Sequence, residues 1–310
     1  MSLLTRKRVL LAKIESVYGT DPTPTGAANA VLIRDLDVSP MEAKNVSRDV
    51  VRPFFGNSEN LPGTVSLKLS FGVEIAGSGT PGTAPAFGPL LRACGFSETV
   101  VASTRVEYAP VSTTPESVTL YANYDGVLHK GTGCRGTVSF DFSEGAIPAF
   151  KFEFTGVFNP VVDGAAPTPT YTAWQRPLPA NRVNTPTFTL HSFASVVEKL
   201  SLDIANAITF RSLIGGVEQV LLTDRKPAGS VSMEATTVAT KDWWTTIKSA
   251  TTGPMQLVHG LIAGNIFQID APAVQITSPK YADKDGVAML NGSLVVVPVS
   301  GNDEIKITIK

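Results

Sequence analysis

The stretch "LPGTVSLKLSFGVEI" at residues 61–75 contains the clearest strand pattern of this chain. Apolar and polar side chains alternate along it, which is the period of a β-strand with one buried face, and we predict a half-buried strand of an antiparallel sheet. The apolar side is formed by Val65, Leu67, Leu69, Phe71, Val73 and Ile75. The polar side is formed by Ser66, Lys68, Ser70 and Glu74. The same alternation recurs in segments 138–142, 150–154, 200–204 and 305–309.

Helical signals are confined to two short segments. One covers residues 89–94 and ends at Gly95, and the other follows Asp242, a residue type that caps helices. Trp243 and Trp244 are adjacent in the second segment, so on a helix they point about 100° apart. We therefore predict that one tryptophan lies in the core and the other at its boundary.

A second stretch, "PAGSVSMEAT" at residues 227–236, is similar to the turn and strand at residues 61–70. Aligning Gly63 with Gly229 gives both halves the same order: a strand, a long excursion, the similar strand, a short helix and a run of strands. The repeat rests on this order and pattern, because identity between the halves is low. It predicts an internal duplication.

The segment "NPVVDGAAPTPTYTAWQRPLPANRVNTP" at residues 159–186 is rich in Pro, Ala and Thr, which is typical of an extended linker. We expect an N-terminal arm and first domain at residues 1–160, a linker at 161–186 and a second domain at 187–310. The predicted fold class is mostly β, with two tandem antiparallel β-sandwich or barrel domains that carry one short helix each.

Charge and cysteine content narrow the possible functions. Lys and Arg total 26 against 27 Asp and Glu, so the chain lacks the basic excess of a tight nucleic-acid binder, and any contact with DNA is expected to be transient. Cys94 and Cys134 are too few for a disulfide framework, which favours a reduced folding environment. No signal peptide and no membrane-spanning stretch is expected.

Motifs for catalysis or cofactor binding are weak. "GSGTPG" at residues 77–82 matches a dinucleotide fingerprint in form, but Pro81 lies inside it and no helix follows at once, so we predict a loop. His129, His191 and His259 are isolated from each other and form no metal-binding spacing. We expect no enzymatic activity, no cofactor and no metal.

The segment "KRVLLAKIESVYGTDPTPTGAANAVLIRDLDVSP" at residues 7–40, followed by "FFGNSENLPGTVSLKLSF" at 54–71, resembles the opening of major tail proteins, the tail tube subunits of long-tailed bacteriophages. The resemblance implies small β-sandwich tube domains, each with one flanking helix. For a chain with two such domains it implies trimeric rings of pseudo-sixfold symmetry, stacked into the tube through which DNA is ejected. It also implies a structural protein of the virion tail, assembled in the host cytoplasm.

The resemblance also suggests functional surfaces. The long excursion before residue 61 is expected to touch the next ring through Arg52, Phe54, Phe55 and Asn57; the alternative is a loop folded back onto its own core. The N-terminal arm is expected to contact a neighbour through Tyr18 and Asp21. Two sets of residues are candidates for the lumen face, Ser66, Ser70 and Glu74 or Ser139, Asp141 and Ser143. Lys68 interrupts the first set and is expected to pair with an acidic neighbour.

The expected partners are further copies of the chain, the tape-measure, tail-terminator and distal tail proteins, and DNA in transit, with no membrane insertion. One alternative is a ring protein of the distal tail, baseplate or tail terminator, and a secretion-system tube is a less favoured variant. A second alternative is a β-sandwich enzyme or carbohydrate-binding module, which needs a cleft lined by Trp174, Trp243 and Trp244.

Overall fold

The structure is a computed structural model that describes residues 2–310, and it consists mainly of antiparallel strands. The strands of the first half are β1 (Arg8–Ile14), β2 (Ala30–Val31), β3 (Arg34–Ser47), β4 (Asn60–Glu74), β5 (Phe96–Val101), β6 (Arg105–Pro110), β7 (Val118–Tyr124), β8 (Val127–Ser143), β9 (Ala149–Phe158) and β10 (Val162–Asp163). Those of the second half are β11 (Thr187–Leu190), β12 (Phe193–Ala194), β13 (Val197–Asp203), β14 (Asn206–Arg211), β15 (Gln219–Arg225), β16 (Ala228–Glu234), β17 (Thr252–His259), β18 (Phe267–Lys284), β19 (Val287–Val296) and β20 (Lys306–Ile309). The mostly β, sandwich-type fold is confirmed, and within the described residues the sheets close no barrel.

Three short helices accompany the strands: α1 (Gly26–Asn29), α2 (Gly88–Ala93) and α3 (Trp243–Lys248). The last two lie where the sequence predicts them, whereas α1 is a single four-residue turn without a periodic pattern to reveal it. Asp242 caps α3 by accepting a hydrogen bond from the Thr245 amide at 2.9 Å. As predicted, the Trp243 side chain is buried and that of Trp244 is partly exposed.

The two halves of the chain share one order of strand pairing. In the first half, neighbouring strands follow the order β1-β7-β8-β9-β4-β3, with β2 beside β1 and β10 beside β8. In the second half the order is β11-β17-β18-β19-β16-β13, with β12 beside β11 and β20 beside β18. The β5–β6 hairpin has no counterpart in this order, and it joins the halves because β6 also pairs with β20.

Strand β8 connects the halves directly. Its beginning pairs with β7, and its end pairs with β13 of the second half, with Asp141 opposite Ser201. The sheet therefore continues without a break through β3-β4-β9-β8-β13-β16-β19-β18.

The registers revise the alignment of Gly63 with Gly229. Gly63 lies near the start of the 15-residue β4, but Gly229 is the second residue of the seven-residue β16. Ser70 lies between Asp37 and Glu153 in one cross-strand row, and Ser230 lies between Ser201 and Ser293 in the matching row. Strands β4 and β16 end at Glu74 and Glu234, and aligning these two ends makes Ser70 the equivalent of Ser230.

One hydrophobic core runs through both halves. Phe150 is fully buried, and its ring lies 5.1 Å from that of Phe87 and 5.8 Å from that of Phe267. Phe267 also stacks on Phe142 at 5.7 Å. The two free cysteines, Cys94 and Cys134, are buried in this core, and burial raises the pKa of both thiols.

The segment between β10 and β11 lies extended along the surface. Trp174 Nε1 donates a hydrogen bond to the Ala30 carbonyl at 3.0 Å, and the Ala180 amide donates one to the Ala146 carbonyl at 2.8 Å. The loop at residues 77–82, as predicted, is not followed directly by a helix. It packs on the turn after β17, where the Gly79 amide donates to the Gly264 carbonyl at 3.0 Å.

Candidate functional site

The continuous sheet has a polar face turned away from the core. Side chains directly opposite each other in an antiparallel ladder share a face, so the register alone identifies its members. Ser70 lies opposite Glu153, and Ser139 lies opposite both Lys151 and Asp203. Both sets of predicted lumen residues therefore lie on this one side of the sheet, and we call its solvent-exposed part the polar sheet face. Its other members include Asp37, Glu42, Lys68, Thr137, Lys199, Ser201, Ser230, Ser232, Glu234, Asn291 and Ser293.

Ser66 departs from the expectation for this surface. Ser66 is only 7 % exposed, because its short side chain lies between the larger side chains of Glu42 and Val157 on the flanking strands. Ser70, Glu74, Ser139 and Ser143 are partly exposed, and Asp141 is exposed. Ser66 is therefore not part of the exposed polar sheet face.

The cations of the polar sheet face are paired with carboxylates. Lys68 Nζ lies 3.3 Å from Glu42, which is the acidic neighbour that the sequence predicted. Two further lysines repeat the arrangement, Lys151 at 2.7 Å from Glu153 and Lys199 at 3.0 Å from Asp141. The hydrogen bond to Glu153 raises the pKa of Lys151. Because these lysines already have anionic partners and further carboxylates surround them, the face offers little free positive charge to a polyanion.

The long excursion forms the end of the β3–β4 hairpin. We call residues 48–59 the first tip. Phe54 is 66 % exposed and Phe55 is 107 % exposed, and Arg52 and Asn57 are exposed as well. The alternative of a loop folded back onto its own core is therefore wrong. Exposed adjacent aromatic side chains are typical of a contact surface.

A second exposed apolar hairpin end was not predicted from the sequence. Hairpin β14–β15 lies between β13 and β16 in the chain, as the outer parts of β3 and β4 lie between their inner parts, and we call residues 212–218 the second tip. Ile214 is 108 % exposed, Val217 is 77 % exposed and Leu213 is also exposed. The stretch "SLIGGVE" was a usable signal, since a Gly-Gly turn carries large apolar residues on both sides.

Tyr18 and Asp21 both form hydrogen bonds within their own chain. The Tyr18 hydroxyl accepts a hydrogen bond from the Val220 amide, and Asp21 accepts from the Tyr121 hydroxyl and from Lys130 at 2.7 Å. Burial alone raises the pKa of Asp21, but the hydrogen bonds from Lys130 and Tyr121 bring it below its ordinary value. These hydrogen bonds hold the segment around Tyr18 and Asp21 against other strands of its own chain.

The continuous sheet has two unpaired edges among the described residues. Strand β3 pairs only with β4, so its other edge is free. Strand β18 pairs with β17 as far as Gln275, and beyond that residue the same side has no partner. An exposed edge presents unpaired amides and carbonyls and is a template for another strand.

The three tryptophans do not share a cleft. Trp243 is buried in the core, and Trp174 is hydrogen-bonded to the Ala30 carbonyl. The ring centres of Trp244 and Tyr281 lie 5.4 Å apart. The aromatic-lined cleft that a carbohydrate-binding module needs is therefore not formed by these residues. Across residues 2–310, no three His, Cys, Asp or Glu side chains are grouped to hold a metal ion. In the same range, no helix is both long and apolar enough to cross a membrane.

An open antiparallel sheet with two free edges, a polar face and apolar hairpin tips is typical of a structural subunit that assembles with copies of itself. A family model described as "Phage tail tube protein" matches residues 5–301, nearly the whole chain. The chain belongs to this family, and it is a structural component of the phage tail, as the N-terminal motifs indicated. A search of curated proteins found no match to this chain.

Proposed function

We propose that three copies of the chain close into a ring, that rings stack into the tail tube, and that phage DNA passes along the polar sheet face during ejection. We propose the domain division given above as well, residues 1–160 and 187–310 joined by a linker. The tape-measure, tail-terminator and distal tail proteins are the proposed neighbours at the inside and ends of the tube, and assembly in the host cytoplasm precedes incorporation into the virion.

The β8–β13 junction is the observation that carries the ring. It joins the first half to the second within one chain, and the free edges of β3 and β18 are the equivalents of β13 and β8. Pairing β18 of one copy with β3 of the next repeats a junction that the protein already contains. The repetition leaves no edge exposed once the ring closes.

The strand registers predict which residues face each other where β18 of one copy pairs with β3 of the next. In the first half, Glu74, Ala149 and Asp141 form one row, and the matching row of the second half is Glu234, Met289 and Ala282. Asp141 lies opposite Ser201, whose equivalent in the first half is Asp37. Asp37 of one copy is therefore expected to lie opposite Ala282 of the next.

A lumen lined by the polar sheet face suits a passing polyanion. DNA binds tightly where lysines and arginines neutralise its phosphates and release counterions. Here Lys68, Lys151 and Lys199 are engaged by carboxylates, while Asp37 and Asp203 add negative charge. Such a surface supports sliding without retention.

The ring is tested with the double variant Asp37→Cys, Ala282→Cys. Residues directly opposite in an antiparallel ladder have Cα atoms about 4.5 to 5.5 Å apart, which is within the range of a disulfide. We expect mild oxidation of the assembled protein to give a covalent trimer as the largest species on a denaturing, non-reducing gel. The buried Cys94 and Cys134 do not compete.

Each single cysteine variant is the control, and neither is expected to give more than trace dimer. Absence of any covalent species from the double variant would contradict the edge pairing. A closed hexamer, seen as covalent species larger than the trimer, would contradict the number of copies while leaving the pairing intact.

The first tip gives a separate prediction about stacking. Phe55→Asp places a charge on a fully exposed side chain, so the free energy of unfolding is expected to change by no more than about 0.5 kcal/mol. If the first tip touches the next ring, tubes are lost while rings remain in electron micrographs. Phe55→Leu, which keeps an apolar side chain, serves as the matched variant and is expected to keep tubes. Normal tubes from Phe55→Asp would remove the first tip from the inter-ring contact.

A further inference from the structure

The second tip carries an apolar surface that its own chain does not cover. Leu213, Ile214 and Val217 are all exposed at the end of a two-stranded hairpin. Gly215, with a φ of +78°, makes the turn that presents them. Three large aliphatic side chains together on one turn form a patch that water does not favour.

The hairpin that bears this tip is held firmly against the first half. Arg135 donates a hydrogen bond to the Val220 carbonyl at 2.8 Å, and its guanidinium lies 4.9 Å from the centre of the Tyr18 ring. The Tyr18 hydroxyl accepts from the Val220 amide. Asn206 donates to the Cys94 carbonyl at 2.7 Å and to the Gly136 carbonyl at 3.0 Å. A surface fixed in this way loses little conformational entropy when it binds.

A groove of about 680 Å³ opens near the end of β8, the strand whose Arg135 holds the hairpin. It lies where β8 ends and β13 begins, and residues 180–182 and 185–187 form one wall. Val196 is exposed at its mouth. The apolar side chains that line the groove are Phe142, Phe188, Val196, Val197, Leu200 and Leu257.

The positions of tip and groove make them complementary between copies. The groove lies beside Ser143 at the end of β8, whereas the base of the hairpin is fixed at Arg135, earlier on the same strand. At about 3.3 Å per residue the two sites are roughly 25 Å or more apart, with the second tip further out still. They therefore cannot meet within one chain. A copy displaced along the strand direction brings its tip to the groove, and such a head-to-tail contact does not close and generates a filament.

The charges at both sites are compatible with this contact. Arg211 and Glu218 flank the second tip, while Glu144 and Arg182 lie at the rim of the groove, so each side presents both signs. Lys284 already holds Glu144 and Glu198 at 2.7 and 3.0 Å, which limits the negative charge at this rim. Opposite charges across a rim favour one orientation of the partner over others.

We propose that the second tip seats in the groove of another copy of this chain, with Ile214 packing against Val196 at its mouth. The proposal rests on the stacked tube proposed above and adds a second stacking contact to that of the first tip. A ring of three chains then presents two kinds of apolar tip in alternation.

The test uses Ile214→Asp and Val196→Asp, each of which changes an exposed side chain and is expected to fold normally. Both variants are expected to form rings but to require at least about tenfold more protein to form tubes, since each removes the burial of one aliphatic side chain. Sedimentation measures the tubes, and electron microscopy measures the rings. Val100→Asp, at another exposed apolar position, is the matched control and is expected to behave as the wild type.

Cross-linking separates this proposal from the proposed function. Ile214→Cys protein is mixed with Val196→Cys protein and oxidised, and a mixed covalent dimer is expected in clear excess over the mixture of Ile214→Cys with Val100→Cys. Tubes of normal concentration dependence from Ile214→Asp, or no excess cross-link, would overturn the second-tip contact. If the wild type forms no rings, the proposed function fails, and the cross-link still decides whether tip and groove meet.

Discussion

Replacing Glu15 with alanine is expected to lower the free energy of unfolding by about 3 kcal/mol or more. The Glu15 carboxylate is buried and accepts four hydrogen bonds. The amides of Gly19 and Gly133 each donate at 2.7 Å, and the hydroxyls of Ser117 and Thr119 each donate at 2.6 Å. Alanine leaves all four donors without an acceptor in a place that water does not reach freely, and each such donor carries a desolvation penalty.

Urea denaturation of wild type and Glu15→Ala measures this loss as a shift of the midpoint at constant slope. Glu59→Ala is the matched control, because Glu59 is an exposed carboxylate that pairs with Arg48 across the base of the first tip. Its loss is expected to cost no more than about 1 kcal/mol. If the two variants shift the midpoint equally, the Glu15 network is not the tie between the arm, β7 and β8 that its geometry indicates.

Replacing Phe150 with alanine is expected to cost about 3 to 5 kcal/mol. The ring is fully buried and touches aromatic rings on several elements, among them Phe87, Phe140 and Phe267. Deleting it removes its transfer free energy and leaves a cavity that packed neighbours fill only in part. Because Phe267 belongs to the second half, we expect both halves to lose stability together.

Differential scanning calorimetry distinguishes this outcome from a local effect. The wild type and Phe150→Ala are both expected to unfold in a single transition, with that of the variant at lower temperature. Phe55→Ala makes the same chemical change at a fully exposed position and is expected to stay within about 0.5 kcal/mol of wild type. A second, unshifted transition in Phe150→Ala would show that the cores of the two halves are energetically separate.

The strands were predictable from the sequence because alternation reports a half-buried face directly. The segment at residues 61–75 alternates through the length of β4, and its apolar side chains from Leu67 to Ile75 are buried as expected. The two helices with capping or breaking residues at their ends were also predictable. Helix α1 was not, since one turn buries too little to leave a periodic pattern.

The correspondence between the halves could be predicted in order but not in register. Local similarity placed Gly229 opposite Gly63, whereas aligning the ends of β4 and β16 makes Ser230 the equivalent of Ser70. Registers depend on contacts between residues far apart in sequence, such as Ser70 with Glu153, and a single sequence contains no direct signal for them.

Of the candidate surfaces, one could be predicted from the sequence and another could not. The first tip was predictable because Phe54 and Phe55 stand together in a loop, and the structure leaves both exposed. The single polar sheet face was not, because only the pairing of β9 with both β4 and β8 brings the two sets of residues onto one side of the sheet. The hydrogen bond between Tyr18 and the Val220 amide was not predictable, because no sequence pattern places the segment around Val220 beside the N-terminal residues.

The burial of Cys94 and Cys134 has a consequence for chemical durability. A component of a virus particle meets dissolved oxygen and peroxides. The thiolate is the form that oxidises, and burial both raises the pKa of these thiols and shuts out the oxidant. The particle is therefore expected to age in air without sulfenic acid formation or accidental disulfides at this subunit.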